Sequence, residues 1–272
     1  MNLSPRARIS FGALAFIGLS FIYIPLAVVI VNSFNKSKVF SWPPREFTLL
    51  WWEKALNNDG VRKALLTSVQ AGLGATLIAL FLGTALSFAL TRYSFFGRNT
   101  LNFLVVLPIS LPGIVTGIAL NTTFTSVLEP FGVSLGLLTV VVGHATFCIV
   151  VVFNNVAARL RRLGTSLEEA SADLGANIFQ TFRFVTFPAI RSALVAGALL
   201  AFALSFDEIV VTTFTSGPGI QTLPQWIFNN LFRPNQGPIV NAVAALLLLI
   251  FIAPVWLAQR LSGSETHAGG RL

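Results

Sequence analysis

Cysteine, histidine and charged residues are scarce in this sequence of 272 residues. It has one cysteine, Cys148, and two histidines, and only 10% of its residues are Asp, Glu, Lys or Arg. One cysteine excludes an internal disulfide and is too few for a zinc cluster. Because a soluble domain carries about 25% charged residues, this composition excludes a soluble enzyme, a disordered chain and a secreted disulfide scaffold.

The sequence also lacks the residue groups that carry out catalysis. It contains no Gly-x4-Gly-Lys-Ser/Thr nucleotide loop, no serine–histidine–acid set and no cluster with metal-ligand spacing. We therefore expect no enzymatic activity, no metal site and no cofactor bound by this chain. The net charge is +8, but the basic residues do not form a stripe beside a group of aromatic residues. We therefore expect no nucleic-acid partner.

Apolar residues make up 54% of the chain, 25 Phe among them, and they are gathered in long runs. A helix needs about 20 apolar residues to cross about 30 Å of hydrocarbon, and continuous apolar runs exclude the alternating strands of a β-barrel. The sequence predicts an all-α polytopic membrane protein with six transmembrane helices. These are Ile9–Val31, Val69–Leu90, Leu101–Leu120, Leu135–Val156, Ala189–Val211 and Ile239–Leu257.

The positions of Lys and Arg predict the orientation of these spans. With the N-terminus inside, eleven of the 18 basic residues lie in inner segments and seven lie in outer loops. Basic residues prefer the cytoplasmic side, so we expect both termini in the cytoplasm. We also expect one transmembrane domain over residues 1–261 and a flexible polar tail over residues 262–272.

The segment between the fourth and fifth spans, residues 157–188, is much longer than a simple connection between helices. Ser166-Leu167-Glu168-Glu169 matches a capping box that begins a helix, and Gly175 suits the positive-φ position after one. Asn177–Gln180 matches a second cap. We expect two short helices, with an apolar stripe lying against the bundle. The stripe consists of Ile178, Phe179, Phe182 and Val185.

This segment resembles the EAA motif of type I ABC importer permeases, Glu-Ala-Ala, x3, Gly, x9, Ile, x, Leu-Pro. The matching positions are Glu169-Ala170-Ser171, Gly175, Val185 and Phe187-Pro188. In that family the segment is a coupling helix that inserts into a groove of a cytoplasmic ATPase subunit. An amphipathic connector on the membrane surface is the alternative, which the acidic first helix disfavours. The resemblance implies an ATPase-coupling role for Glu168, Glu169, Ala170, Ser171, Asp173, Gly175 and Pro188.

The resemblance narrows to the second permease subunit of spermidine/putrescine transporters. It is carried by Gly143–Cys148, Ser205–Val211 and Pro238–Ala242. It implies an ATP-driven importer of polyamines in the bacterial inner membrane. The partners it implies are a second permease, a dimer of ATPase subunits that bind ATP and Mg²⁺, and a periplasmic solute-binding protein. Other solutes, such as an aminophosphonate, iron or thiamine, remain an alternative, as does a stand-alone channel or secondary carrier.

Asp207 and Glu208 are an acidic pair inside the fifth predicted span. At about 1.5 Å per residue they lie roughly 24–26 Å along the helix from Arg191, near the outer edge of the hydrocarbon. Carboxylates attract ammonium groups, and aromatic faces add cation–π contacts. We therefore interpret this pair, with Phe206 and Trp226, as the substrate pathway; a helix-end ion pair without a ligand role is the alternative.

Other polar and helix-breaking residues carry structural expectations. One acid of the pair is expected to bond a base such as Arg62 or Arg233. His144 has no His, Cys or acidic partner at ligand spacing, so we expect it to make an interhelical hydrogen bond rather than to bind a metal. Pro108 and Pro112 are expected to interrupt the third span.

Overall fold

The computed structural model describes residues 4–38 and 41–262, with the side chains of residue 5 and of residues 252–262 left out. Residues 263–272, nearly all of the predicted polar tail, lie outside the described residues. The described secondary structure is helical apart from one isolated β-bridge between Asn35 and Phe47. The α-helices are α1 (Pro5–Ser33), α2 (Leu50–Leu56), α3 (Asp59–Arg92), α4 (Arg98–Ser110), α5 (Gly113–Thr122), α6 (Leu137–Leu163), α7 (Ser166–Asp173), α8 (Ile178–Thr181), α9 (Phe187–Asp207), α10 (Val210–Thr215), α11 (Leu223–Leu231) and α12 (Gly237–Ser262). Two π-helical segments, Thr123–Leu128 and Phe182–Thr186, and a 3-10 helix, Glu129–Phe131, connect some of them.

Long apolar helices confirm the predicted all-α membrane fold. Within the described residues, four helices are long and apolar enough to cross a membrane: Arg6–Ser33, Asp59–Arg92, Leu137–Leu163 and Ile178–Asp207. A bent pair, α4 with Gly113–Phe131, makes a fifth if it is counted as one span. The last helix, α12, is apolar over Gly237–Phe251, so the sixth span stays a prediction.

Two of the predicted spans are broken. The third is bent by 105° between α4 and α5, where Leu111 is extended and Pro112 precedes the new helix. The helical conformation is disfavoured for a residue that precedes proline, so the expected interruption is confirmed at Pro112. Pro108, also expected to interrupt the span, lies inside α4 instead. The fifth predicted span, in contrast, is not continuous to Val211. Its helix ends at Asp207, Glu208 is extended, and α10 begins at Val210.

The fourth span is longer than predicted. We expected it to end at Val156, but α6 continues to Leu163. Its last turn carries Arg161 and Arg162, and positive charge at a helix C-terminus stabilises the helix through its dipole. The loop itself is correspondingly shorter and begins at Gly164.

The chain divides into two compact units, one formed by the residues up to Arg62 and from Ile227 onward, and one by Lys63–Trp226. In the first unit α12 packs against α1 and α2. Trp51 is buried there and donates its indole N–H to the Asn35 carbonyl at 2.8 Å. Lys36 and Glu46 form an exposed ion pair at 2.7 Å. Their hydrogen bond and mutual charge raise the pKa of Lys36 and lower the pKa of Glu46.

The second unit is built around α6, which packs against α9, α4 and α10. Close approach of α3 to α6 rests on small residues spaced four apart on α3, a pattern that brings membrane helices together. At Gly83 an added Cβ would lie 2.9 Å from the carbonyl oxygen of Ile149. One turn later the Ser87 hydroxyl lies 3.0 Å from the carbonyl oxygen of Phe153. The small residues are Ala71, Ala75, Ala79, Gly83 and Ser87.

Candidate functional site

The helix α7 begins differently from the prediction. We expected Ser166 to be its N-cap in a capping box with Glu169, but the cap position is Thr165 and makes no side-chain cap bond. Thr165 has the backbone conformation of a turn, and its carbonyl accepts the Glu169 N–H at 2.9 Å. The acidic first turn, Glu168 and Glu169, still faces the positive end of the helix dipole.

The end of α7 and the start of α8 confirm the predicted local signals. Gly175 has φ +82° and donates its N–H to the Ala172 carbonyl, and Ala176 donates to the Ser171 carbonyl. These two bonds form a Schellman motif, which requires the positive φ that glycine tolerates. The Asn177 side chain accepts the Gln180 N–H at 2.9 Å, and the Gln180 side chain accepts the Asn177 N–H at 2.8 Å.

Two of the four side chains predicted to lie against the bundle, Ile178 and Phe179, face outward instead. The other two agree with the prediction, since the Phe182 ring contacts that of Phe88 on α3 and Val185 is half-buried. Leu174 is 89% exposed and Ile178 90% exposed. Apolar spacing identifies a face that must be covered but does not identify what covers it. We define the loop surface as Leu167, Leu174, Ile178 and Phe179, all of which are exposed.

The predicted coupling residues fall into two groups. Glu169, Ala170, Asp173 and Gly175 are exposed beside the loop surface, and Pro188 is exposed in the first turn of α9. The other two make contacts inside the chain. The hydroxyl of Ser171 lies 3.0 Å from that of Thr181, and Glu168 turns inward to form an ion pair with Arg92. Sequence reasoning missed Arg92, which lies 76 residues before Glu168.

The predicted pathway residues also differ in exposure. Asp207 is exposed at the end of α9 and Glu208 is half-buried, whereas Phe206 and Trp226 are 5% and 6% exposed. The carboxylate of Glu208 accepts the Val211 backbone N–H at 2.8 Å. This acid therefore caps α10, where we had expected a bond to a base.

His144 joins the two sides of the break in the fifth predicted span. It is fully buried, with Nδ1 2.7 Å from the Ser205 hydroxyl on α9 and Nε2 2.8 Å from the Thr212 hydroxyl on α10. Thr212 donates its proton to the Glu208 carbonyl. Because the Thr212 hydroxyl uses its proton for that carbonyl, it accepts a hydrogen bond from the Nε2–H of His144. The unprotonated Nδ1 then accepts a hydrogen bond from the Ser205 hydroxyl. The predicted interhelical role of His144 is confirmed.

Replacing His144 with alanine is expected to lower the stability of the folded protein. The change leaves the buried hydroxyls of Ser205 and Thr212 without their partner, and an unsatisfied buried group costs about 1–3 kcal/mol. His144→Gln keeps one hydrogen bond and is expected to lose about half as much. The measurement is the Tm of the detergent-purified protein.

Thr213→Ala is the matched control for this prediction. Its hydroxyl is exposed and bonds the Ile209 carbonyl within the same segment. Equal Tm values for His144→Ala and Thr213→Ala would contradict the bridging role of the histidine.

Comparison with known proteins agrees with a multi-pass transport permease. Residues 75–263 match the family described as binding-protein-dependent transport system inner membrane component. The chain therefore belongs to this family, whose members are the membrane-spanning subunits of importers that use a separate solute-binding protein. It is a permease subunit of an ABC importer, homologous to permeases of polyamine transport. The predicted class of protein is confirmed.

Two relatives and one solved structure illustrate the similarity. The putrescine transport system permease protein PotI of Escherichia coli K12 is 35% identical over 85% of this chain and 83% of its own length. The spermidine/putrescine permease protein PotC of Haemophilus influenzae is 32% identical over 94% and 97%. A bacterial ABC transporter for alginate import has a chain of the same fold, with a TM-score of 0.67 at 16% identity, covering 97% of this chain and 99% of that one.

Proposed function

We propose that this chain is the second permease subunit of an importer for polyamines such as putrescine and spermidine in the bacterial inner membrane. In this proposal the loop after α6 and both chain termini lie in the cytoplasm. The observation that carries the choice of substrate is the exposed carboxylate of Asp207 at the end of α9, in a chain homologous to polyamine permeases.

The acid Asp207 gives the pathway its attraction for cations. An ammonium group of the substrate is drawn to this carboxylate, while Glu208 holds the start of α10 through the Val211 N–H. Because Phe206 and Trp226 are buried, we assign them to packing beside the pathway. The direct charge contact belongs to Asp207.

The loop surface is the docking site for the ATPase in this proposal. Its apolar side chains are covered by no part of the described chain, and acidic residues stand beside them at Glu169 and Asp173. Burial of exposed apolar area is the main driving force for association. The ATP and Mg²⁺ that drive transport are bound by the ATPase dimer, and a periplasmic solute-binding protein delivers the polyamine.

Affinity purification from native membranes after in-membrane crosslinking tests the assembly. We expect the chain to purify with a second permease and with an ATPase that carries a phosphate-binding loop. Putrescine or spermidine, presented with its binding protein, is then expected to stimulate ATP hydrolysis. Recovery of the chain alone would contradict the proposal and favour a stand-alone channel.

Replacing Asp207 with asparagine is expected to weaken polyamine uptake without loss of assembly. Removing one solvent-exposed charge costs about 1 kcal/mol of attraction, since water screens the interaction. Because 1.4 kcal/mol is a tenfold change, we expect about a fivefold rise in the substrate concentration for half-maximal uptake. The measurement is uptake of labelled putrescine into cells or proteoliposomes.

Glu208→Gln provides the control one residue away. Its amide oxygen still accepts the Val211 N–H, so the cap of α10 remains while the same unit of charge is removed. We expect a smaller change in uptake for this variant. Unchanged uptake kinetics in Asp207→Asn would contradict the pathway role of Asp207.

A further inference from the structure

One ion pair connects the loop to the transmembrane helices of the second unit. Arg92 is the last residue of α3, and Glu168 lies in the first turn of α7. Their side chains meet twice, with Nε 2.9 Å from Oε2 and Nη2 3.2 Å from Oε1. Both side chains are largely buried, with exposures of 12% for Arg92 and 25% for Glu168.

The same two side chains also bind two further segments. The guanidinium of Arg92 donates to the carbonyl of Gly164 at 2.6 Å and lies 3.4 Å from that of Leu160, at the C-terminal end of α6. The carboxylate of Glu168 accepts the hydroxyl of Thr186 at 3.0 Å, just before α9. The ends of α3, α6, α7 and the segment leading into α9 therefore meet at one ion pair.

The charges of the pair match the helix ends on which they lie. Arg92 places a cation at the C-terminal end of α6, where the helix dipole is negative, and Glu168 places an anion at the positive N-terminal end of α7. Partial burial reduces screening by water and salt. Separating the two residues would leave each charge poorly solvated. The pair therefore holds the end of α3 against the start of α7.

Within the described residues, the side-chain hydrogen bonds of α7 other than the ion pair go to the helix Ile178–Asp207 and not to α3 or α6. No residue of α7 is buried, and Ser171 is bonded to Thr181 in the first turn of that helix. The Arg92–Glu168 pair is therefore the polar connection through which a displacement of α7 reaches α3 and α6.

We propose that Arg92 is a positioning residue that couples α7 to the transmembrane helices, so that movement of the loop becomes movement of the pathway. This inference rests on the proposed docking of the ATPase to the loop surface. It does not assign Arg92 to substrate binding or to ATPase contact. Without the ion pair, α7 still moves with the ATPase, but its movement is no longer transmitted to α3 and α6.

The test uses the complete transporter, reconstituted in proteoliposomes with its ATPase and binding protein. In Arg92→Met we expect ATP hydrolysis within about twofold of the unmodified transporter, and polyamine uptake per ATP hydrolysed at least tenfold lower. Glu168→Gln is expected to act in the same direction, since its amide keeps the Thr186 bond but loses the charge. Arg92→Lys retains the ion pair and is expected to restore uptake per ATP to within about threefold.

Arg98→Met is the matched control, because Arg98 lies nearby in the chain and donates to the Leu90 carbonyl at 2.9 Å. We expect its uptake per ATP to be unchanged. An unchanged ratio in both Arg92→Met and Glu168→Gln, or loss of the ATPase from both complexes, would overturn the inference. Absence of polyamine uptake by the unmodified transporter would instead refute the proposed function, so the two failures are distinguishable.

Discussion

Replacing both Leu174 and Ile178 with serine is expected to release the ATPase from the permease while the permease stays folded. These side chains are 89% and 90% exposed, so they contribute little to the packing of their own chain. In the proposed complex with the ATPase they supply apolar area of the loop surface. Folding and docking can therefore be separated by this double variant.

The expected effect on docking is large. Full burial of one leucine or isoleucine contributes about 1.5–3 kcal/mol, and 1.4 kcal/mol corresponds to a tenfold change in Kd. Association does not recover all of that free energy, so we expect Kd to rise by at least about 30-fold. The measurement is titration of the purified ATPase against the permease in nanodiscs.

Phe131→Ser is the control for surface apolarity in general. Phe131 is 81% exposed and precedes the other end of α6, a helix of 27 residues and so about 40 Å long. We expect its ATPase affinity to equal that of the unmodified chain. Undiminished ATPase binding by the double variant would contradict the assignment of the loop surface.

Replacing Gly83 with leucine is expected to prevent accumulation of folded permease. Even a Cβ at this position would lie 2.9 Å from the Ile149 carbonyl oxygen and 3.1 Å from the Phe153 nitrogen. Both are backbone atoms, so no side chain can rotate away and α3 must separate from α6. The Ser87 contact with the Phe153 carbonyl is lost with that separation.

A graded series measures this packing constraint. Overpacking of a core typically costs about 1–3 kcal/mol; we expect Gly83→Ala to fall in that range and Gly83→Leu to exceed it. The measurement is the monodisperse yield and Tm of the detergent-extracted protein. Gly136→Ala is the matched control, because a Cβ there meets no atom within 4 Å. Native stability in Gly83→Leu would contradict the close helix contact.

Short-range signals in the sequence were sufficient to predict much of this protein. Long apolar runs identified a helical membrane fold, because hydrocarbon demands internally bonded backbone. The positive φ of Gly175 and the reciprocal cap of Asn177 with Gln180 were predicted equally well. Each depends on residues only a few positions apart, so one sequence contains the necessary information.

Contacts between distant segments could not be predicted in the same way. Arg92 and Glu168 are 76 residues apart, and His144 meets Ser205 and Thr212 at separations of 61 and 68 residues. Nothing in the local composition specifies such pairs. The break at Glu208 has no proline or glycine beside it, so it also left no local signal in the sequence.

The exposure of the loop surface shows a second limit of prediction from sequence, which concerns hydrophobic periodicity. Ile178 and Phe179 have the spacing of a buried helix face, and periodicity predicted that they pack inside the chain. A face covered by another protein has the same pattern as one covered by the chain itself. The structure of the single chain distinguishes the two.

Helices α8 and α9 are joined by the π-helical segment Phe182–Thr186 into one continuous helix of 30 residues, Ile178–Asp207, which restricts the insertions and deletions that this protein can accept. Every residue added or removed shifts the far end by about 1.5 Å and rotates it by about 100°. Losing one residue would turn the Asp207 carboxylate by more than a quarter of a circle relative to the loop surface. The short connection between Phe131 and Leu137 is not helical, so a change in its length does not rotate one functional residue relative to another. We therefore expect insertions and deletions to be tolerated there and not between the loop surface and Asp207.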